Sequence, residues 1–242
     1  MSAIAQKTLP NTILLFDPEC FADISDCMFE ANYWQQRQQV IGQAFGRATT
    51  TFFQHHKQQY VLRHYRRGGV ISKLINNSYL YRGLKHTRAW REMHLLNWMA
   101  DNGLPVPRAV AARIKHQGLC YQADIILQKI PHAKDAFTLL QQHALSESAW
   151  QAIGACIRRM HQLQVYHHDL NIHNIMLDEQ HKVWLIDFDK CEVRQGQPWK
   201  QANLQRLKRS LLKEKAKSPQ FFWQESDWQA CMQGYLTADK SD

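Results

Sequence analysis

The stretch that most restricts what this chain can fold into is His167-His-Asp-Leu-Asn-Ile-His-Asn174, followed closely by Leu185-Ile-Asp-Phe-Asp189. Its surroundings differ sharply in character. Upstream, Ser146 is placed to cap a helix whose apolar stripe is Trp150, Ile153, Ile157 and Met160. Downstream, the apolar runs Ile175–Leu177 and Val183–Ile186 are joined by the polar residues Asp178-Glu-Gln-His-Lys182, which predicts a tight hairpin ending in Asp-Phe-Asp. A basic helix is expected around Lys200–Lys217, and the chain closes on a Trp-rich helical piece. A polar loop wedged between a helix and a hairpin, with carboxylates at both ends, is a pattern that few folds accommodate.

The first part of the chain reads differently. Thr12–Phe16 is a short apolar run closed by Asp17-Pro18, and Thr49–Phe53 and Gln59–Tyr65 are β-prone segments around a polar turn. Ala109–Ile114 and Leu119–Leu127 form a further expected hairpin about His116-Gln-Gly118. Between them, Thr87–Asn102 suits a helix: Trp90, Met93, Leu96 and Met99 keep its spacing, and Gly103 with Pro105 stops it. The expectation is an α+β, bilobal chain. A β-rich part with one helix (residues 1–130) precedes a mainly helical part carrying a small hairpin (131–242).

Composition narrows the function classes. No run approaches the roughly 20 apolar residues that span a bilayer, and the N-terminus lacks the features of a secretory signal. The six cysteines contain no C-x-x-C pair and the thirteen histidines no H-E-x-x-H, so neither a zinc site nor a disulfide framework is expected. A formal charge of +9 and a pI near 9.3 call for an anionic partner without saying which.

Phosphoryl transfer asks a protein for a carboxylate to orient the attacking hydroxyl and for hard oxygen ligands to Mg²⁺. Asp169 supplies the first from a loop; Asn174, five residues on, and Asp187, at the end of the hairpin, supply the second. His167 is expected to be structural, bonded to the backbone near Asp187. These residues resemble the catalytic loop and metal motif of the protein-kinase superfamily, H-R-D-L-x-x-x-N and D-F-G. On that resemblance Tyr60-Val-Leu-Arg63 matches the strand that carries the ATP-phosphate cation, with Arg63 in place of lysine. Glu92 matches its acidic partner, and the hairpin with Gly42 and Gly46 matches the phosphate-covering loop. Asn171 replaces the loop lysine two residues after the base, Asp189 replaces the D-F-G glycine, and no peptide-docking activation segment follows. A non-protein acceptor is therefore implied.

The fuller pattern is more particular. Val61-Leu-Arg-His-Tyr-Arg-Arg-Gly-Gly69, Trp90-Arg-Glu-Met, Gly103-Leu-Pro-Val-Pro-Arg-Ala and Asn203-Leu-Gln-Arg-Leu-Lys-Arg-Ser-Leu, with the loop between, resemble bacterial lipopolysaccharide-core sugar kinases of the 3-deoxy-D-manno-octulosonic acid (Kdo) kinase group. The resemblance implies ATP and Mg²⁺ as cofactors. It implies the 4-hydroxyl of Kdo on a lipid A precursor as acceptor, and a peripheral position at the cytoplasmic face of the inner membrane. No nucleic acid or obligate protein partner is expected. Arg66 and Arg67 beside two glycines, and Arg206 and Arg209 on the basic helix, are candidate ligands for substrate phosphate or carboxylate; the same helix suits an anionic membrane surface. A heptose or other small-molecule kinase, or a silent kinase-like binding protein, shares most of this pattern and stays open at this point.

Overall fold

The computed structural model describes residues 4–45, 49–66 and 78–237. Gly46 and Arg67 lie outside the described residues. The chain divides into two compact units, Met1–Trp98 with Arg108–Lys129, and Met99–Pro107 with Ile130–Asp242. Residues 99–107, which the sequence reading assigns to the first part, thus group with the second.

The first unit is built on β1 (Ala5–Leu9), β2 (Thr12–Phe16), α1 (Ala31–Gln36), β3 (Val40–Phe45), β4 (Thr49–His55), β5 (Gln58–His64), β6 (Tyr79–Leu80), α2 (Arg88–Asp101), β7 (Ala109–Gln117) and β8 (Cys120–Gln128). Its strands form one antiparallel sheet in the order β1-β2-β7-β8-β5-β4-β3, with β6 on β8. The alternation of β4 and β5 decides what each face does. Phe53, Tyr60 and Leu62 point to a core with Leu14, Phe21, Ile24, Phe29 and Trp34. Trp34 anchors it, stacking on Phe53 at 3.9 Å between ring centres and donating its indole N–H to the Met28 carbonyl at 2.7 Å. The intervening position of β5 presents Arg63 on the opposite face.

Helix α2 buries Ala89, Met93, Leu96 and Met99, the stripe expected from its spacing. It stops where the sequence places the stop. Gly103 takes φ +78°, a left-handed conformation that costs glycine little, and the Leu104 N–H closes on the Met99 carbonyl. Asn97 fastens this helix to β7 with a reciprocal pair of bonds to the Ala109 backbone, at 2.9 and 3.0 Å.

The second unit contains β9 (Lys134–Asp135), α3 (Ala136–Leu140), α4 (Glu147–Gln162), β10 (Val165–Tyr166), β11 (Ile175–Leu177), β12 (Val183–Leu185), β13 (Glu192–Val193), α5 (Pro198–Lys217) and α6 (Glu225–Thr237). Ser146 caps α4 through the Ala149 N–H, and its stripe Trp150, Ile153, Ile157 and Met160 is fully buried. Helices α4 and α6 meet backbone to backbone. A Cβ on Gly154 would lie 1.9 Å from the Cys231 carbonyl oxygen, and one on Gly234 2.0 Å from that of Gln151, so only glycine fits at either position. The hairpin β11–β12 gains a third strand, β9, to which the sequence reading assigns nothing. With only Lys134 and Asp135, β9 is too short to carry a periodic signal.

Candidate active site

In the first unit the face of β5 opposite the core builds a small ionic cluster. Arg63 Nη2 donates to Glu92 Oε1 at 2.5 Å, and Tyr65, one alternation further along the chain, donates its hydroxyl to Glu92 Oε2 at 2.6 Å. Glu92 is 2% exposed, so its carboxylate is held between a guanidinium and a phenol in a low-dielectric setting. Burial, with the Glu92 charge adding to it, pushes the Tyr65 hydroxyl well above its ordinary pKa and keeps it a donor. The pair expected from sequence is therefore formed, and Tyr65 is a member that sequence reasoning did not single out. Its signal was available: it lies two residues beyond Arg63, on the same face.

Gly42 lies within β3, just past a bulge between Val40 and Gly42, where a Cβ would make only ordinary contact with Phe52. Arg66 is placed elsewhere. It lines a recess of about 280 Å³ with Glu30, His64, Tyr65, Arg113, Lys115 and Asp124, a set that includes neither Arg63 nor Glu92. The walls of that recess are knitted together by Asp124, which accepts from Arg113 at 2.6 Å and contacts His64 at 2.5 Å.

In the second unit the loop after β10 is fixed by its own side chains. His167 is fully buried; its Nε2–H donates to the Ile186 carbonyl at 3.0 Å, and its Nδ1 accepts the Asp169 N–H at 3.2 Å. One ring nitrogen must donate and the other accept, so the imidazole is neutral. Burial pushes its pKa down against the opposing pull of the Ile186 carbonyl and the Asp187 and Asp169 charges. This is the structural role expected of His167, tying the loop to the strand end that carries Asp187.

The metal-ligand candidates are linked to Asp169 through the backbone. Asn174 donates its amide N–H to the Asp169 carbonyl at 2.9 Å, and its own carbonyl accepts the Ile186 N–H at 3.0 Å. The Asn174 amide is thereby oriented, with Nδ2 committed to that carbonyl. Asp187 takes φ +64°, a conformation uncommon for a residue with a Cβ and one that concentrates at functional sites. One carboxylate and one amide oxygen suit Mg²⁺, which is held by few protein oxygens and completed by phosphates and water. Among the described residues no group of three or more His, Cys, Asp or Glu forms a closed metal cage.

Asn171 turns inward, donating to the Asp169 carbonyl at 2.9 Å and capping the following turn by accepting the His173 N–H at 2.9 Å. The charge beside Asp169 comes instead from α5. Arg206 Nε donates to Asp169 Oδ1 at 3.1 Å, and Nη2 contacts the same oxygen. Burial raises the pKa of Asp169, but the Arg206 bond and charge, helped by Asn171 and His167, carry it below the ordinary carboxylate range. Two uncharged residues of α5 also hold the loop. Asn203 donates to the His167 carbonyl at 2.7 Å, and Ser210 Oγ accepts the Ile172 N–H at 3.1 Å. Neither was singled out from sequence, although each is a polar residue on the buried leucine stripe Leu204, Leu207 and Leu211. Arg209, one turn beyond Arg206, faces solvent.

Comparison with known proteins agrees with this arrangement. A 3-deoxy-D-manno-octulosonic acid kinase of Photobacterium profundum is 47% identical over 95% of this chain and 97% of its own. One from Vibrio cholerae serotype O1 is 50% identical over 81% of this chain and 83% of its own. One from Haemophilus influenzae is 48% identical over 77% of this chain and 80% of its own. The profile of the lipopolysaccharide kinase (Kdo/WaaP) family matches residues 31–235, which include the Arg63–Glu92 pair, the loop of Asp169 and the whole of α5. With the α+β architecture, the tied loop and this match over most of its length, the chain belongs to the lipopolysaccharide kinase (Kdo/WaaP) family.

Proposed function

We propose that the protein is an ATP-dependent sugar kinase that phosphorylates Kdo on a lipid A precursor, at the 4-hydroxyl. The observation that carries this reading is the loop in which Asp169, Asn174 and Asp187 are tied through the Asp169 carbonyl, the Asn174 carbonyl and the Ile186 N–H. In this reading Asp169 accepts the proton of the acceptor hydroxyl. The hydroxyl oxygen forms a bond to the γ-phosphorus, the bond from that phosphorus to the bridging oxygen breaks, and its electron pair leaves with ADP. An ionised carboxylate is the right partner for a hydroxyl donor, and Arg206 keeps Asp169 ionised. Asn174 Oδ1 and Asp187 would hold Mg²⁺, which when bound neutralises the phosphate oxygens. Arg63, braced by Glu92, is assigned to the ATP phosphates, and the strand of Gly42 to their cover.

The basic character of α5 supports an anionic glycolipid at a membrane surface. Its Lys208 is paired with Glu225 and its Lys217 with Glu214, whereas Arg209 and Lys213 face solvent on the helix that also exposes Leu212. Exposed cations beside apolar anchors suit the cytoplasmic face of the inner membrane. No helix among the described residues is long and apolar enough to cross a bilayer.

The deciding experiment is a Mg²⁺-dependent transfer assay with γ-labelled ATP, offering a Kdo-bearing lipid A precursor and the same lipid without Kdo. Label on the first alone is expected, and it should disappear in Asp169→Asn and Asp187→Ala while both variants stay folded. Equal labelling of both lipids, or wild-type rates in both variants, would overturn the assignment.

A further inference from the structure

The loop from His167 to Asn174 contains no lysine or arginine, yet negative charge gathers there when a phosphoryl group moves between two oxygens. Among the described residues, the guanidinium bonded to Asp169 is that of Arg206, which reaches it from a different element. Such a pair between half-exposed side chains is ordinarily of little consequence. Here the surrounding construction gives it a fixed place. Helix α5 grips the loop on both sides of the pair, with Asn203 on His167 and Ser210 on Ile172, so contacts at residues 203, 206 and 210 track loop residues 167, 169 and 172 in order. The spacing is that of one helix face, which makes Arg206 the middle point of a three-point clamp.

The geometry of the pair is asymmetric. Both Nε and Nη2 converge on Oδ1, so Oδ2 stays outside the ion pair. Nη1 has no protein partner among the described residues. One oxygen of the base is thus held by a fixed cation, while its other oxygen and one guanidinium nitrogen are left for ligands. Arginine suits this use because its planar fork bonds a carboxylate on one edge and a phosphate-type oxygen on another without losing its proton.

We propose that Arg206 is the positioning residue of the transfer reaction, contributed by α5 in place of a cation in the loop: it holds Asp169 oriented through Oδ1 and presents Nη1 to the phosphoryl group in flight. This rests on the kinase reading above. It adds no bond-making step, since Arg206 keeps its proton throughout. A depressed Asp169 pKa is compatible with it, because a loose transition state needs the hydroxyl oriented more than it needs a strong base.

The test uses the full-length chain with Arg206→Ala, Arg206→Gln and Arg206→Lys, and two readouts. In the transfer assay on Kdo-bearing lipid, Arg206→Ala is expected to lower kcat about 100-fold, as loss of a transition-state donor does, while KM for ATP moves less than about 3-fold. Free guanidinium chloride should restore about 10-fold of that loss where equal sodium chloride restores none, and Arg206→Lys should fall between wild type and alanine. The second readout needs no acceptor: ATP hydrolysis by wild type and Arg206→Ala, with and without guanidinium chloride, is expected to show the same fall and the same restoration. A kcat within about 3-fold of wild type in Arg206→Ala overturns the proposal. So does a lowered kcat that guanidinium does not restore, since that is the behaviour of a structural prop. If wild type labels no Kdo lipid, the assigned acceptor falls, and the ATP hydrolysis rates then support or overturn the role of Arg206.

Discussion

The buried imidazole of His161 makes the stability of the second unit pH-dependent in a calculable way. His161 is fully buried; its Nδ1 accepts the Tyr235 hydroxyl at 2.8 Å, and its Nε2–H donates to Asn203 Oδ1 at 3.2 Å. Burial drives its pKa from the ordinary 6.5 to about 4, with Lys200, Arg158 and His167 pushing the same way and the Asn203 bond opposing. The unfolded chain takes up a proton as pH falls through the ordinary histidine value, and the folded chain does not until the lower one is reached. Stability from this group is therefore fully present above the ordinary value and is lost on acidification towards the depressed one. Between about pH 7.5 and about pH 5 the loss works out at about 2 kcal/mol. Asp169, Asp178 and Glu214 also have depressed values, but they start from ordinary values of 3.8 to 4.5, so most of their loss falls at lower pH. Urea unfolding of wild type and His161→Gln at those two pH values isolates the imidazole. The glutamine keeps a donor and an acceptor but takes up no proton, so its stability should change by about 2 kcal/mol less than wild type over this range, whatever its absolute stability. Equal pH dependence in the two proteins would refute the reasoning, because the buried imidazole would then be titrating as an exposed one does.

Three further outcomes are expected. Gly154→Ala forces a Cβ to within 1.9 Å of the Cys231 carbonyl oxygen and should cost at least about 1–3 kcal/mol through separation of α4 from α6, read as a fall in Tm. Arg63→Ala should raise KM for ATP about 10-fold through loss of a charge-assisted contact while leaving acceptor affinity unchanged, as measured by steady-state kinetics with each substrate varied. Trp34→Ala removes the anchor that stacks on Phe53 and should cost about 3–5 kcal/mol in urea unfolding with no direct effect on ATP affinity.

Much of this architecture was legible because it rests on local rules. Ser146 before an apolar stripe, Gly103 after one and polar residues between two short apolar runs each prescribe a boundary, and α4, the end of α2 and the β11–β12 hairpin fall where those residues place them. The tie from His167 to the strand end before Asp187 and the pairing of Arg63 with Glu92 were also anticipated. What was not legible depends on partners distant in sequence. The segment around α1 covers one sheet face through Trp34 and Phe53, a contact that neither residue's neighbours announce. Strands β9 and β13 have two residues each and exist only because a partner strand lies beside them. Arg66 reads as one of an Arg-Arg-Gly-Gly cluster, but the pleat that turns Arg63 and Tyr65 to Glu92 carries His64 the other way, and Arg66 shares its recess with His64.

The position of α5 follows from the absence of a peptide-docking segment. Only ten residues separate Asp187 from Pro198, so the helix begins almost at once after the hairpin, and its residues 203–210 pack on the loop of Asp169. A leucine stripe alone would have sealed that contact. Instead Asn203 and Ser210 interrupt the stripe at the two places where loop backbone groups at His167 and Ile172 need partners, since a buried N–H or C=O left unpaired costs about 1–3 kcal/mol. The same helical register that satisfies those groups carries Arg206 to Asp169. The cation beside Asp169 is thus a consequence of how the loop is buried, and a register shift of one residue in α5 would remove both the backbone partners and the charge together. Inserting a single alanine between Leu211 and Leu212 should leave the clamp intact and transfer activity near wild type. The same insertion between Asn203 and Leu204 should abolish transfer, and equal activities would show that the register of α5 does not set the site.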